Sequence, residues 1–143
     1  MKVRISRAAL DAIREETRKA GEEECCGLLL ALPASPPDHI DAILPAANVA
    51  ADRRGRFEID PAQLIAAHRA ERAGHHRIMG CYHSHPGGDA APSAEDAAQA
   101  EANGSLWLIA TPRPWAARLW RAVGGGAAHG RFDAAQMIVA DDP

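Results

Sequence analysis

Residues 24–32, "ECCGLLLAL", form a short apolar run set between a charged segment and "PASPPD". A run this short and this apolar reads as a mostly buried strand rather than a helix. The segment before it has another period. Ser6 is placed to cap a helix through about Ala20, with Leu10, Ile13 and Thr17 spaced for one face and Gly21 as the stop. "HIDAILPAAN" supplies a second strand, and the polar loop "VAADRRGR" leads to a short strand, "FEI". Asp60 and Pro61 then start a helix that runs to Gly74. "RIMGCYHSH" reads as a strand, residues 86–92 as a loop, and Ser93 to Asn103 as an Ala-rich helix stopped by Gly104. "SLWLIAT" and "AARLWRAV" are strands joined by a "PRPW" turn, "GGGAAHG" is a flexible connection and "RFDAAQMIVA" a weak last strand. This order predicts an α/β (α+β) fold, a mixed β-sheet flanked by helices, because the short connections allow antiparallel neighbours and the helical crossovers parallel ones.

A chain of 143 residues suits one domain, residues 1–143, with a real core. Only six of its residues are aromatic, so that core rests on Leu, Ile, Val and Ala. The net charge of −3, with acids and bases interspersed, provides no basic stripe, which argues against nucleic acid and against an anionic membrane. No apolar stretch reaches the length of a membrane span, and the amino terminus carries no signal-peptide pattern, so a cytoplasmic protein is expected. Cys25, Cys26 and Cys81 form no C-x-x-C pair and read as reduced thiols.

The segment "GCYHSHPGGDAAPSAED", residues 80–96, carries the chemistry. On a strand, His83 and His85 point to one face, because side chains alternate with period two. Asp96 falls in the first turn of the next helix, and the Gly- and Pro-rich loop lets its carboxylate return to the strand end. Two imidazoles and a carboxylate make three ligands for zinc, which in catalytic sites keeps a fourth position open. A plainer account also exists. Ser93 and Asp96 have nearly capping-box spacing, an acid suits a helix N-terminus, and His-x-His occurs as an ordinary half-exposed pair. The joint pattern His-x-His-x7-Ser-x-x-Asp, however, arises by chance on the order of once in a thousand such chains, treating positions as independent.

"HSHPGGDAAPSAED" resembles the motif of the JAMM, or MPN-plus, zinc metallopeptidases, the JAB-domain family, in its compact prokaryotic form. "ECCGLLL" resembles the family's early strand, and "NVAADRRGRFEIDP" its loop into an Asp-Pro helix start, so the likeness spans most of residues 22–111. The resemblance implies a cytidine-deaminase-like JAB/MPN architecture. It implies one catalytic Zn2+ on His83, His85 and Asp96, with Glu24 as general acid and base and Ser93 helping to hold the tetrahedral intermediate. Strand alternation agrees on Glu24, which shares a face with Cys26 and Leu28, whereas Glu23 does not. It implies hydrolysis of a peptide or isopeptide bond after the Gly-Gly terminus of a ubiquitin-like or sulfur-carrier protein. The rival readings are a non-catalytic binding module and a zinc amidohydrolase of a small molecule.

Other residues weigh less. Cys81 shares a face with His83 and reads first as a buried strand thiol, second as a ligand. His75 and His76 read as solvated loop residues, and His68 as part of a helix surface. Trp107 and Trp120 read as core, and Trp115 as a turn residue that packs inward or meets substrate. The chain has no H-E-x-x-H, no H-x-E and no P-C-x-x-C, which argues against helix-borne zinc peptidases and nucleobase deaminases.

Overall fold

A computed structural model describes residues 1–141. The elements are β1 (Lys2–Ser6), α1 (Arg7–Ala20), β2 (Cys26–Ala31), β3 (His39–Ile40), β4 (Ala42–Ala46), α2 (Pro61–Arg72), β5 (Arg77–Ser84), α3 (Ala94–Gln99), β6 (Leu106–Pro112), β7 (Trp115–Gly126) and β8 (Gly130–Ala140). The strands form one sheet in the order β3-β1-β8-β7-β6-β5-β2-β4. Pairing is mixed. β1 runs parallel to β3 and β8, β5 runs parallel to β6, and the other neighbours are antiparallel.

The helix starts follow their caps. Ser6 Oγ accepts the Ala9 N–H, Asp60 accepts the Ala62 N–H ahead of Pro61, and Gly21 ends α1 with φ of 62°. Five expectations need correction. β1 precedes the first helix where no strand is expected, because Val3 and Ile5 are fully buried and alternate with the exposed Lys2 and Arg4. The second strand divides at Asp41, whose N–H donates to the Leu30 carbonyl while its carboxylate accepts the Leu32 N–H and its carbonyl accepts the Ser6 hydroxyl. "FEI" makes only an isolated bridge, Asn48 with Ile59. α3 stops at Gln99, because Ala100 turns extended and is buried beside Trp107. The last strand, read as weak, is an internal strand of 11 residues between β1 and β7.

Asp41 alone separates β3 from β4, yet those strands are opposite ends of the sheet. The sheet must therefore curl until its ends meet. α1 fills the concave side, where Ala9 and Ile13 join Val3, Ile5, Leu29, Ile40, Tyr82, Leu106, Leu108 and Leu119. α2 and α3 cover the outer face. Leu28 and Leu30 pack there with Ala67, and Cys26, Phe57, Trp107, Ile109, Trp120 and Phe132 form the adjoining cluster.

A bulge in β5 sets which way the motif faces. Leu30 pairs with Ile78 but Leu29 with Gly80, so β5 carries one extra residue. Ile78 packs on the outer face and Met79 on the inner. After the bulge Cys81 is outer and Tyr82 inner, the reverse of simple alternation from Ile78. Without the extra residue His83 would point at α1. Gly80 occupies φ of 153°, and a Cβ there would collide with the Leu106 carbonyl. Gly80→Ala should therefore cost about 3 kcal/mol or more in denaturant unfolding, the upper range for overpacking. Gly87→Ala, whose Cβ meets nothing within 4 Å, should stay within about 0.5 kcal/mol of wild type.

Candidate metal centre

His83 sits near the end of β5, opposite Cys26 on one side and Ile109 on the other, with its side chain fully buried. Its ring stacks on Phe57 with centroids 4.3 Å apart and meets Trp107 edge-on at 5.7 Å, which fixes the imidazole plane. His85 lies just past the strand and stays extended by donating its N–H to the Ala110 carbonyl at 2.8 Å. Its Nδ1 is 2.8 Å from the Asp89 carbonyl. A carbonyl only accepts, so Nδ1 carries the proton and Nε2 is left as a lone pair in the neutral ring.

Asp96 arrives from the opposite side, in the first turn of α3. Its N–H donates to Ser93 Oγ, and its Oδ2 accepts the Ser93 N–H, each at 3.0 Å. The predicted capping box is thus real, and the same carboxylate also faces the histidines. Asp96 Oδ2 lies 3.2 Å from His83 Nε2 and 3.1 Å from His85 Nε2, and those two nitrogens are 3.0 Å apart. The plain helix-start account holds, and the same carboxylate is within hydrogen-bonding distance of both histidines.

Glu24 enters from the turn before β2. Its N–H donates to the Arg53 carbonyl and its own carbonyl accepts Asn48 Nδ2, so the backbone is held while the carboxylate projects free. Among the described residues, Glu24, His83 and His85 present ligand atoms that all lie within 4.8 Å of one another. Glu24 Oε1 is buried without a hydrogen-bond partner.

The charges follow from burial and proximity. Burial pushes the Glu24 carboxyl up to about 7 against the pull of His85, with Asp96 and Asp52 adding to the rise. Burial likewise holds His83 below its usual value despite Asp96. At His85 burial pulls downward, but the Asp96 carboxylate and Asp89 carbonyl outweigh it and the pKa rises. Burial would raise Asp96, yet His83, His85 and the Ser93 N–H keep it far below the ordinary carboxylate range. A pair of imidazole nitrogens facing one another beside an ionised carboxylate is a donor set with too few protons to satisfy it. Two nitrogens, one oxygen and an orphaned carboxylate nearby fit a borderline-soft divalent cation better than calcium or magnesium.

A family model described as prokaryotic homologs of the JAB domain matches residues 6–123. The chain belongs to the prokaryotic JAB-domain family. A desampylase of Haloferax volcanii is 35% identical over 108 residues, covering 73% of this chain and 76% of that protein. The solution structure of a Salinibacter ruber protein superposes with a TM-score of 0.68 at 27% identity, over 99% of this chain and 93% of that one. A Desulfitobacterium hafniense protein gives a TM-score of 0.79 at 24% identity, over 99% and 94%. A JAB1/MPN domain protein from Archaeoglobus fulgidus gives 0.57 at 20% identity, over 96% and 98%. The last two speak for the fold alone.

Around this cluster, several residues play parts that no local spacing signals. Asn48 spends its whole amide: Nδ2 donates to the Glu24 and Arg56 carbonyls, and Oδ1 accepts the Ala50 and Glu58 N–H groups. That side chain shapes loop 47–58 around Glu24. Arg53, Arg54 and Arg56 pair with Glu23, Glu22 and Glu95, bracketing the site from both flanks. Phe57 provides the stacking surface for His83. Cys81 packs with the outer cluster, and burial drives its thiol pKa well up. His68, His75 and His76 are exposed, Trp107 and Trp120 are core, and Trp115 is half-buried under the Arg14 guanidinium.

The raised Glu24 pKa has a direct thermodynamic reading. A carboxyl at about 7 folded and 4.5 unfolded contributes stability that is full below 4.5 and lost as pH rises through 7. In chelator-treated protein, the Tm advantage of Glu24→Gln over wild type should be larger at pH 8 than at pH 5. Equal differences at both pH values would contradict the buried, proton-holding carboxyl.

Proposed function

We propose that this chain is a zinc-dependent hydrolase that cuts a peptide or isopeptide bond after the Gly-Gly terminus of a ubiquitin-like or sulfur-carrier protein. The observation that carries this reading is the meeting of His83 Nε2, His85 Nε2 and Asp96 Oδ2 within 3.0–3.2 Å beside the unpartnered Glu24 carboxylate. The relative named as a desampylase, an enzyme that removes a ubiquitin-like modifier, supports the substrate class. Unpaired thiols at Cys25, Cys26 and Cys81 are in keeping with a cytoplasmic setting. Among the described residues no helix is long and apolar enough to cross a membrane.

His83, His85 and Asp96 would hold zinc, and the chemistry it would supply there is that of a Lewis acid towards the scissile carbonyl and water. The protein does the rest. Glu24, poised near neutrality, takes a proton from the attacking water and delivers it to the leaving amine. Ser93 accepts from the Asp96 N–H, which leaves its hydroxyl proton to donate to the oxygen that becomes negative. A Gly-Gly tail, lacking side chains, lets its backbone lie close to this buried group.

Intact-mass measurement of a Gly-Gly-ended carrier bearing a C-terminal cysteine should show loss of that residue, blocked by chelation. Glu24→Gln should lower the rate by about 10²–10⁴-fold while zinc content stays near one. Ser93→Ala should cost about 10²-fold or more, the range for one lost oxyanion donor. His83→Ala and Asp96→Asn should lose zinc itself in metal analysis. A wild-type protein that holds zinc and binds the carrier but never cleaves it would favour the binding-module reading. Cleavage of small amides without need of a carrier would favour the amidohydrolase.

A further inference from the structure

Loop 86–92 joins His85 to the helix that carries Asp96, and its sequence, "PGGDAAP", gives it little stiffness of its own. Among the described residues, two hydrogen bonds reach this loop. One is His85 Nδ1 to the Asp89 carbonyl at 2.8 Å, and the other is Trp120 Nε1–H to the Ala90 carbonyl at 3.0 Å, fully buried. The accepting carbonyls belong to consecutive residues. Trp120 comes from β7, 30 residues away, and is packed in the outer cluster with Trp107 and Phe132. Ala90 is 4% exposed and Trp120 7%, so the bond is shielded from competing water.

We infer that Trp120 is a positioning residue for the metal centre: its indole N–H pins the Ala90 carbonyl, which holds the Asp89 carbonyl where it fixes the His85 ring. The chain of cause is short. Asp89 is exposed and cannot anchor itself by packing. The buried indole and the burial of Ala90 fix the Ala90 Cα, and the planar Asp89–Ala90 peptide, which ends on that Cα, carries the Asp89 carbonyl. With Nδ1–H donated to Asp89, the His85 lone pair is directed at His83 and Asp96. A partner of this kind that orients a ligand imidazole governs both its tautomer and its metal affinity. Arg118 lies over the same indole at 4.5 Å, contacting the ring face and not the N–H.

The inference rests on the proposed role of His85 as a zinc ligand, and the experiment separates the two. Trp120→Phe keeps a ring in the cluster and removes only the donor, whereas Arg118→Ala removes the cation and keeps the donor. The His85 tautomer is read by nitrogen NMR in zinc-free protein, at a pH where the ring is neutral, and zinc affinity by chelator competition. Trp120→Phe should turn His85 from the single Nδ1–H form into a mixture and weaken zinc about tenfold, at the low end for lost orienting partners. Arg118→Ala should match wild type in both. An unchanged tautomer in Trp120→Phe overturns the proposal, as does an equal loss in Arg118→Ala. Wild type that binds no zinc defeats the proposed function instead, and the tautomer comparison still decides the role of Trp120. Should Trp120→Phe not fold, wild type alone decides, since coupling is reciprocal. Zinc should then slow exchange of the Trp120 indole proton at least tenfold more than that of the β7 amides, and equal slowing overturns the proposal.

Discussion

The meeting of the sheet's two ends at Asp41 is the constraint on which the rest of the molecule depends. Its three backbone and side-chain hydrogen bonds hold β3 and β4 apart by one residue while tying both to the Leu30–Leu32 segment and to Ser6. Ser6 in turn caps α1, so closure of the sheet and the start of the helix it encloses are fixed together. With α1 consuming the concave side, the outer face is left to α2, α3 and loop 47–58. The site forms where that outer layer overhangs the ends of β2 and β5.

Facing outward is then a matter of parity. One extra residue at the β5 bulge places His83 under Phe57 and beside Trp107 instead of against α1. The surrounding aromatics and aliphatics exclude water, and exclusion of water is what lifts Glu24 towards neutrality and lowers His83. The fold thus supplies the electrostatics of the site as well as its geometry. The ion pairs of Arg53, Arg54 and Arg56 lie at the exposed rim, where such pairs contribute little stability each. Asn48, with every amide position bonded, does more to hold the overhanging loop.

Much of this was legible where the signal was local. Ser6, Gly21, Asp60 and Pro61 mark helix ends through their own chemistry, and His83, His85, Ser93 and Asp96 declare themselves by spacing within one short segment. Strand alternation set Glu24 apart from Glu23, and the family likeness singled it out from Glu22 as well. The misses share one cause: tertiary partners outweighed local pattern. Val3 and Ile5 look like strays among charges until β3 and β8 flank them. "RFDAAQMIVA" has few strand-forming residues at its start, and is a strand because β1 and β7 pair with both its edges. "HIDAILPAAN" looks continuous, and only the remote partners of Asp41 reveal the break. Trp120 was readable as core, but its hydrogen bond to a residue 30 positions away leaves no trace in composition or period.

The double use of one carboxylate has a consequence for descent. Asp96 Oδ2 closes the first turn of α3, a helix of six residues that is too short to stand by itself in water, and the same oxygen faces both histidines. Folding and chemistry therefore weigh on the same atom. Glu24 is the opposite case, because its carboxylate is buried, has an oxygen with no partner and strains against its own ionisation. If Glu24 serves the proposed chemistry, a lineage released from it would shed Glu24 early and keep Asp96 long after, so a drifting copy of this domain would go on wearing the outline of the proposed metal site after losing the means to use it.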